Sequence, residues 1–242
     1  MLNELKEILV SHTDTTDKIS TIKLKVLLQF HREKFGLRSS NVLFPPVEIG
    51  SITLVDQVVL LSLIDITGAR NILEIGTYLG FTTRMLVENT DSASIYSVDL
   101  PNQQKGTSEH FEYKRVLLDG DYNDDYLRTV QNQEGEVYLE GLSNDDRSRI
   151  TLIKRDSTTM DYKKEVGELD FAFIDGGHDI GTVAKDTALV LEAMPRGIIV
   201  WHDFSSDIHS GVTEYLSKEI KSRYKCVYHV QGSLCAFILV GV

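Results

Sequence analysis

Apolar residues recur at helical spacing through the first third of the chain. Leu2, Leu5, Ile8 and Leu9 form one set; Ile19, Ile22, Val26, Leu27 and Phe30 form another, closed by Gly36. Phe44-Pro45-Pro46 breaks the pattern, and a third helix is predicted over 54–66 with Gly68 near its end. From Asn71 the texture changes to short apolar runs at 72–75, 94–99, 150–153, 169–174 and 198–201. Helical stretches at 81–88, 180–194 and 211–220 lie between or after them. Two last strands, 224–230 and 234–240, are joined by Gln231-Gly232-Ser233, which signals a hairpin.

Apolar strands alternating with helices predict a doubly wound α/β fold, its sheet covered on both faces. The sheet is expected to be mostly parallel and seven-stranded, with one antiparallel edge strand. Residues 1–45 read as an N-terminal helical extension and 46–242 as the main domain. Within the latter, 101–149 is an inserted region, longer than a crossover needs and rich in Asp, Asn, Gly and Gln. It is expected to be a lid or a subunit contact. In such sheets ligands sit beyond the carboxyl ends of the strands.

Composition narrows the function. The 242 residues are 42% hydrophobic and 25% charged, an ordinary globular mixture. Lys and Arg total 25 against 36 acidic residues, a net charge of −11, which repels a nucleic-acid backbone. The excess is uneven: residues 102–149 hold 6 Lys/Arg and 11 Asp/Glu, a net of −5. No apolar run reaches bilayer length, and the charged first twenty residues do not resemble a secretory signal, so a cytoplasmic protein with no membrane partner is expected. Cys226 and Cys235 are read as reduced core residues. The apolar faces of the N-terminal helices point to a homo-oligomer.

Chemistry concentrates at strand ends. Glu74-Ile75-Gly76-Thr77-Tyr78-Leu79-Gly80 closes the first strand of the main domain and opens a helix. Its glycines, at Gly76 and Gly80, permit a tight turn and close approach of a ligand. A dinucleotide fingerprint requires a third glycine, and a diphosphate has no use for a carboxylate at Glu74, whereas a cationic ligand does. Asp99 ends the next strand, where a carboxylate accepts from ribose hydroxyls. Asp156 and Ser157 follow the third and can reach an adenine edge. Taken singly, Gly76 is also explained as a strand-end turn, and Asp99 or Asp156 as a helix cap. Together and in order they describe a nucleoside site with no required phosphate.

With Phe173-Ile174-Asp175-Gly176-Gly177-His178 and Val200-Trp201-His202-Asp203-Phe204, these motifs resemble class I S-adenosylmethionine-dependent methyltransferases. More narrowly they resemble a bacterial subgroup of sugar and macrolide O-methyltransferases and relatives of cephalosporin-biosynthesis proteins. The resemblance implies a Rossmann-like fold with S-adenosyl-L-methionine as cofactor. Gly76, Thr77, Tyr78 and Gly80 would form the cofactor turn, Glu74 would help hold the methionine amino group, Asp99 the ribose, and Asp156 with Ser157 the adenine. It further implies a divalent metal, Mg²⁺ or with a histidine ligand Mn²⁺, on Asp175, His202 and Asp203, although some members show two acidic residues where this chain has His202-Asp203. The reaction expected is methyl transfer to a hydroxyl of a small molecule, a sugar or natural product.

A bound cation lowers the pKa of an alcohol, and a histidine can take its proton near neutrality. His178 is the candidate base and Asp175 the second catalytic residue. Competing readings remain: a metal-independent transferase using His178 alone, a nicotinamide-dependent oxidoreductase, or a non-catalytic cofactor-binding partner. His202 also reads as a satisfied core histidine, Trp201 as sheet core, Asp186 as a solvated or salt-bridged helix residue, and His209, after the Asp203 loop, as mobile surface more readily than as a lining of the acceptor pocket. Tyr113, Tyr122, Tyr126 and Tyr138 of the insert read equally as acceptor-stacking rings or ordinary packing.

Overall fold

A computed structural model describes residues 1–13, 19–101, 111–130, 137–224 and 226–242. Parts of the predicted insert, 102–110 and 131–136, lie outside the described residues.

The elements run α1 (Leu2–Ser11), β1 (Ser20–Lys23), α2 (Leu24–Phe35), α3 (Leu54–Thr67), β2 (Asn71–Ile75), α4 (Phe81–Glu88) and β3 (Ser94–Asp99). The insert contributes α5 (Tyr113–Val116), α6 (Gly120–Val130), a 3-10 turn (Val137–Leu139) and α7 (Asn144–Ser148). Then follow β4 (Ile150–Lys154), α8 (Tyr162–Glu165), β5 (Phe171–Ile174), α9 (Ile180–Ala193), β6 (Gly197–Trp201) and α10 (Ser210–Tyr215). A wide helical turn, Leu216–Ile220, leads into α11 (Lys221–Arg223), and β7 (Tyr228–Gln231) and β8 (Ala236–Val240) close the chain.

One sheet gathers every strand in the order β1-β7-β8-β6-β5-β2-β3-β4. All neighbours are parallel except β8, which runs against both β6 and β7. The doubly wound class is as expected, but the sheet has eight strands rather than seven, and its reversed strand lies between β6 and β7 instead of outermost. The eighth strand comes from residues predicted to be helical. Ile19, Ile22 and Val26 fit a helix by spacing, yet the free edge of β7 captures Ser20–Lys23, with the Ser20 N–H donating to Val227 O at 2.8 Å. Only Ile22 of that strand is buried, so four residues carry too little period-2 pattern to be told from a helix start.

Period-2 alternation sorts side chains to the two faces of the central strands. Phe171, Phe173, Ile198 and Val200 join the layer of α1 to α4, whereas Ala172, Ile174, Ile199 and Trp201 face α8 to α10. Leu2, Leu5, Leu9, Leu27 and Phe30 enter the first of these cores, so the N-terminal segment packs onto the sheet. Helix ends are fixed locally. Thr53 and Asp56 form a capping box on α3, Gly68 ends it in the left-handed conformation, and Asp179 caps α9 through the Thr182 N–H at 3.0 Å. Among the described residues no helix is long and apolar enough to cross a membrane. Both cysteines are free thiols, Cys235 buried and Cys226 half-buried.

Candidate active site

Parallel order brings the carboxyl ends of β3, β2, β5 and β6 into one row, and a cleft of about 600 Å³ opens along it. At one end β2 stops at Ile75 and the chain turns at Gly76, φ +100°. A side chain there would place Cβ 2.0 Å from Asp175 O, so the two strand ends meet this closely only with glycine. The Gly76 N–H donates to Val98 O at 2.8 Å. Tyr78, also at positive φ, turns its N–H onto Asp99 Oδ2 at 2.7 Å, and the Leu100 N–H donates to Asp99 Oδ1 at 2.8 Å. The carboxylate ending β3 is thus oriented by backbone donors.

Gly76, Thr77, Tyr78, Asp99, Asp156 and Ser157 all line this end. Asp156 caps the turn after β4, accepting from Thr158 N–H at 2.9 Å and Thr158 Oγ1 at 2.7 Å. Glu74 and Gly80 stand behind the wall. Gly80, at φ +81°, starts α4. Glu74 is fully buried; its Oε2 accepts from the Thr83 and Ser97 hydroxyls, and its Oε1 has no hydrogen-bond partner. Burial pushes its pKa up to about 8, against those two hydrogen bonds.

The other end gathers Asp175 after β5, and His202 and Asp203 after β6. His202 Nδ1 lies 3.2 Å from Asp175 Oδ1 and 3.1 Å from Asp203 Oδ2. Two ligands side by side on an octahedral cation with bonds of about 2.1 Å stand about 3.0 Å apart, so this spacing and chemistry fit a divalent ion. Asp203 holds φ +58°, a conformation rare outside glycine and concentrated at functional sites. Burial opposes charge on His202, but the Asp175 and Asp203 carboxylates outweigh it and hold the ring's pKa well above the ordinary value. Burial also pushes Asp175 up, while Asp203, despite burial, is held well down by the His202 charge.

His178 is clamped between carboxylates. Its Nδ1 lies 2.8 Å from Asp124 Oδ1 and its Nε2 3.0 Å from Asp203 Oδ2. Burial alone would lower its pKa, but these two partners push it up to about 10. The His209 ring stacks on it at 3.7 Å. His209 is therefore a buried, cleft-lining residue rather than mobile surface. The insert reaches the site through α6, whose Asn123, Asp124, Leu127 and Arg128 line the cleft.

Asp124 and Asp56 escaped the sequence reading. Asp124 sits in an acidic run with nothing to distinguish it from its neighbours. Asp56 shows the signature of a helix cap, yet its Oδ2 lies 3.4 Å from His202 Nε2. Asp186 corrects a further expectation: it is neither solvated nor salt-bridged but fully buried, both oxygens lacking hydrogen bonds, and burial pushes its pKa up to about 6. Trp201 is sheet core, its Nε1–H donating to Thr187 Oγ1 at 2.9 Å. Tyr122 and Tyr126 pack on Phe111, and Tyr138 on Phe81, while Tyr113 is exposed.

Residues 73–204 match a family model described as a methyltransferase domain. No curated protein matches the sequence. Among solved structures the chain is similar to apo CalS11, a TDP-rhamnose 3'-O-methyltransferase of calicheamicin biosynthesis. Identity is 12% over 78% of this chain and 80% of that one, with a TM-score of 0.51. It is similar also to an O-methyltransferase from Bacillus cereus in complex with SAH, 18% identical over 89% of this chain and 88% of that one, TM-score 0.46. A third is TomG of Streptomyces achromogenes, an O-methyltransferase involved in tomaymycin synthesis, in complex with SAM: 14% identical over 90% and 89%, TM-score 0.47. At these identities the likeness concerns the fold. The family match spans more than half of the sequence, from within β2 to just past the β6 end that carries His202 and Asp203, and the chain therefore belongs to the methyltransferase domain family.

Proposed function

We propose that the protein is an S-adenosylmethionine-dependent O-methyltransferase acting on a hydroxyl of a small molecule, a sugar or sugar-bearing natural product, with a divalent cation at Asp175, His202 and Asp203. The observation that carries this reading is the pairing, in one cleft, of an oriented Asp99 and Gly76 turn at one end with two carboxylates and an imidazole at the other. That CalS11, a sugar O-methyltransferase, shares the fold is consistent with the substrate class.

Each end has its task. Asp99 accepts from the ribose hydroxyls, Asp156 and Ser157 meet the adenine edge, and Gly76 leaves room for the donor beside Asp175. Glu74 acts from behind the wall, bracing the donor turn through the Thr83 and Ser97 hydroxyls rather than lining the cleft. A cation, when bound, lowers the pKa of an acceptor hydroxyl. The protein's further work is alignment, holding acceptor oxygen, methyl carbon and sulfur in line. His178, with Asp124 and Asp203, forms one proton-holding unit. Asp124 and Asp203 both favour the protonated ring, so His178 would more readily lose that proton and serve as base once Asp203 is drawn to a cation. The insert and the 49–51 segment, which meet beside Tyr78, supply the acceptor wall.

A second reading has its own support: a protonated His202 would offset one charge of the carboxylate pair, so the site can be filled without a metal. Methyl transfer to a panel of hydroxylated acceptors, measured after EDTA treatment and again after Mg²⁺ or Mn²⁺ addition, separates the two. The metal reading expects turnover to vanish and return, and to be lost in Asp175→Asn with the fold intact. Full turnover in EDTA establishes the metal-free alternative.

A further inference from the structure

Asp56 occupies the third position of α3, where a carboxylate ordinarily closes a capping box at the surface. This one is 0% exposed, an expensive place for a charge unless its oxygens are engaged. Oδ1 accepts from the Leu234 N–H at 2.8 Å and the Cys235 thiol at 3.6 Å. Oδ2 accepts from the Thr53 N–H at 3.0 Å and the Thr53 hydroxyl at 2.6 Å, and faces His202 Nε2 at 3.4 Å. Asp56 Oδ2 is the carboxylate oxygen paired with that nitrogen, and among the described residues no other acceptor is hydrogen-bonded to it. The opposite nitrogen of the same ring, Nδ1, is the one beside Asp175 and Asp203. A metal-ligating imidazole binds through one nitrogen and gives the hydrogen on the other to an acceptor, commonly a carboxylate, which fixes tautomer and ring orientation.

We propose that Asp56 is a positioning residue of the cation site: it holds the His202 Nε2–H and thereby presents Nδ1 as the third ligand beside Asp175 and Asp203. The proposal rests on the metal reading given above and deepens it. It places a histidine nitrogen, not a third carboxylate oxygen, in the site, which moves preference from Mg²⁺ towards Mn²⁺ and softer divalent ions. It also makes α3, which lines no other part of the site, a support of the reactive end.

The test uses Mn²⁺ itself, titrated into the full chain and followed by electron paramagnetic resonance, for wild type, Asp203→Asn, Asp56→Asn and Thr53→Ala. Asparagine has one oxygen and cannot serve both the Leu234 N–H and the Thr53–His202 side. The expected result is one Mn²⁺ per wild-type chain, loss of binding in Asp203→Asn, and a roughly 10–100-fold weaker site in Asp56→Asn. Thr53→Ala, which removes the Thr53 hydroxyl but keeps Asp56 beside His202, retains wild-type affinity. Nitrogen-15 spectra of Mg²⁺-loaded wild type should show His202 protonated on Nε2; this readout needs no variant to fold. Protonation on Nδ1 overturns the proposal, as does wild-type Mn²⁺ affinity in Asp56→Asn or equal weakening in Thr53→Ala. A wild-type chain that binds neither ion overturns the metal reading itself, and the proposal with it.

Discussion

Replacing Glu74 by glutamine removes a titratable group from the enclosed end of the cofactor site. Its Oε2 accepts from Thr83 and Ser97, its Oε1 has no partner, and the Asp175 and Asp99 carboxylates add repulsion. Burial raises its pKa from an ordinary 4.5 to about 8. Between those values the native chain holds a proton that the unfolded chain has released. Stability from this group is therefore complete below pH 4.5 and is lost as pH rises through 8. At about 1.4 kcal/mol for each pH unit, the loss saturates near 5 kcal/mol. Glutamine has no such titration. Urea denaturation of both proteins at pH 5, 7 and 9, without cofactor, should show Glu74→Gln gaining on wild type with each step. At pH 9 its free energy of unfolding should stand about 4 kcal/mol higher relative to the offset at pH 5. Parallel stability curves would refute the reasoning, because they would mean that Glu74 is charged in the native state throughout.

Two further outcomes follow from the same geometry. Gly76→Ala forces a Cβ to within 2.0 Å of Asp175 O, so denaturation should show a loss of more than about 2 kcal/mol and titration should show no binding of S-adenosylhomocysteine; wild-type behaviour in both would mean that the two strand ends are not in contact. Asp124→Ala removes the insert's grip on His178 and should raise the acceptor KM while leaving S-adenosylhomocysteine affinity in place, whereas an equal effect on both would remove the insert from the acceptor wall.

What the sequence disclosed was whatever depends on chain order. Gly76 and Asp99 are strand-end residues, and once strands alternate with helices their position beyond the sheet follows. Asp175 and Asp203 are strand-end residues too, but that their strands are neighbours is what the family resemblance implies; parallel pairing then brings the ends together. Contacts that depend on how remote elements pack were hidden. Asp56 carries a complete local explanation as a cap, which conceals its approach to His202. Asp124 depends on α6 docking at the loop after β6, where a Cβ on Gly120 would meet Ile208 O at 2.3 Å. Asp186 was legible and misread: it lies on the buried stripe of Val183, Thr187 and Val190, and the period of that stripe outweighs its polarity. The strand at Ser20–Lys23 was illegible because the open edge of β7, not its own pattern, decides its conformation.

Calorimetric titration of the purified chain with S-adenosylhomocysteine and, separately, with NAD tests the central claim most directly, since it asks which nucleoside the cleft takes. The account predicts one S-adenosylhomocysteine per chain, weakened at least tenfold by Asp99→Asn through loss of a charged ribose acceptor, and no heat with NAD. Binding of NAD with no response to S-adenosylhomocysteine would contradict it.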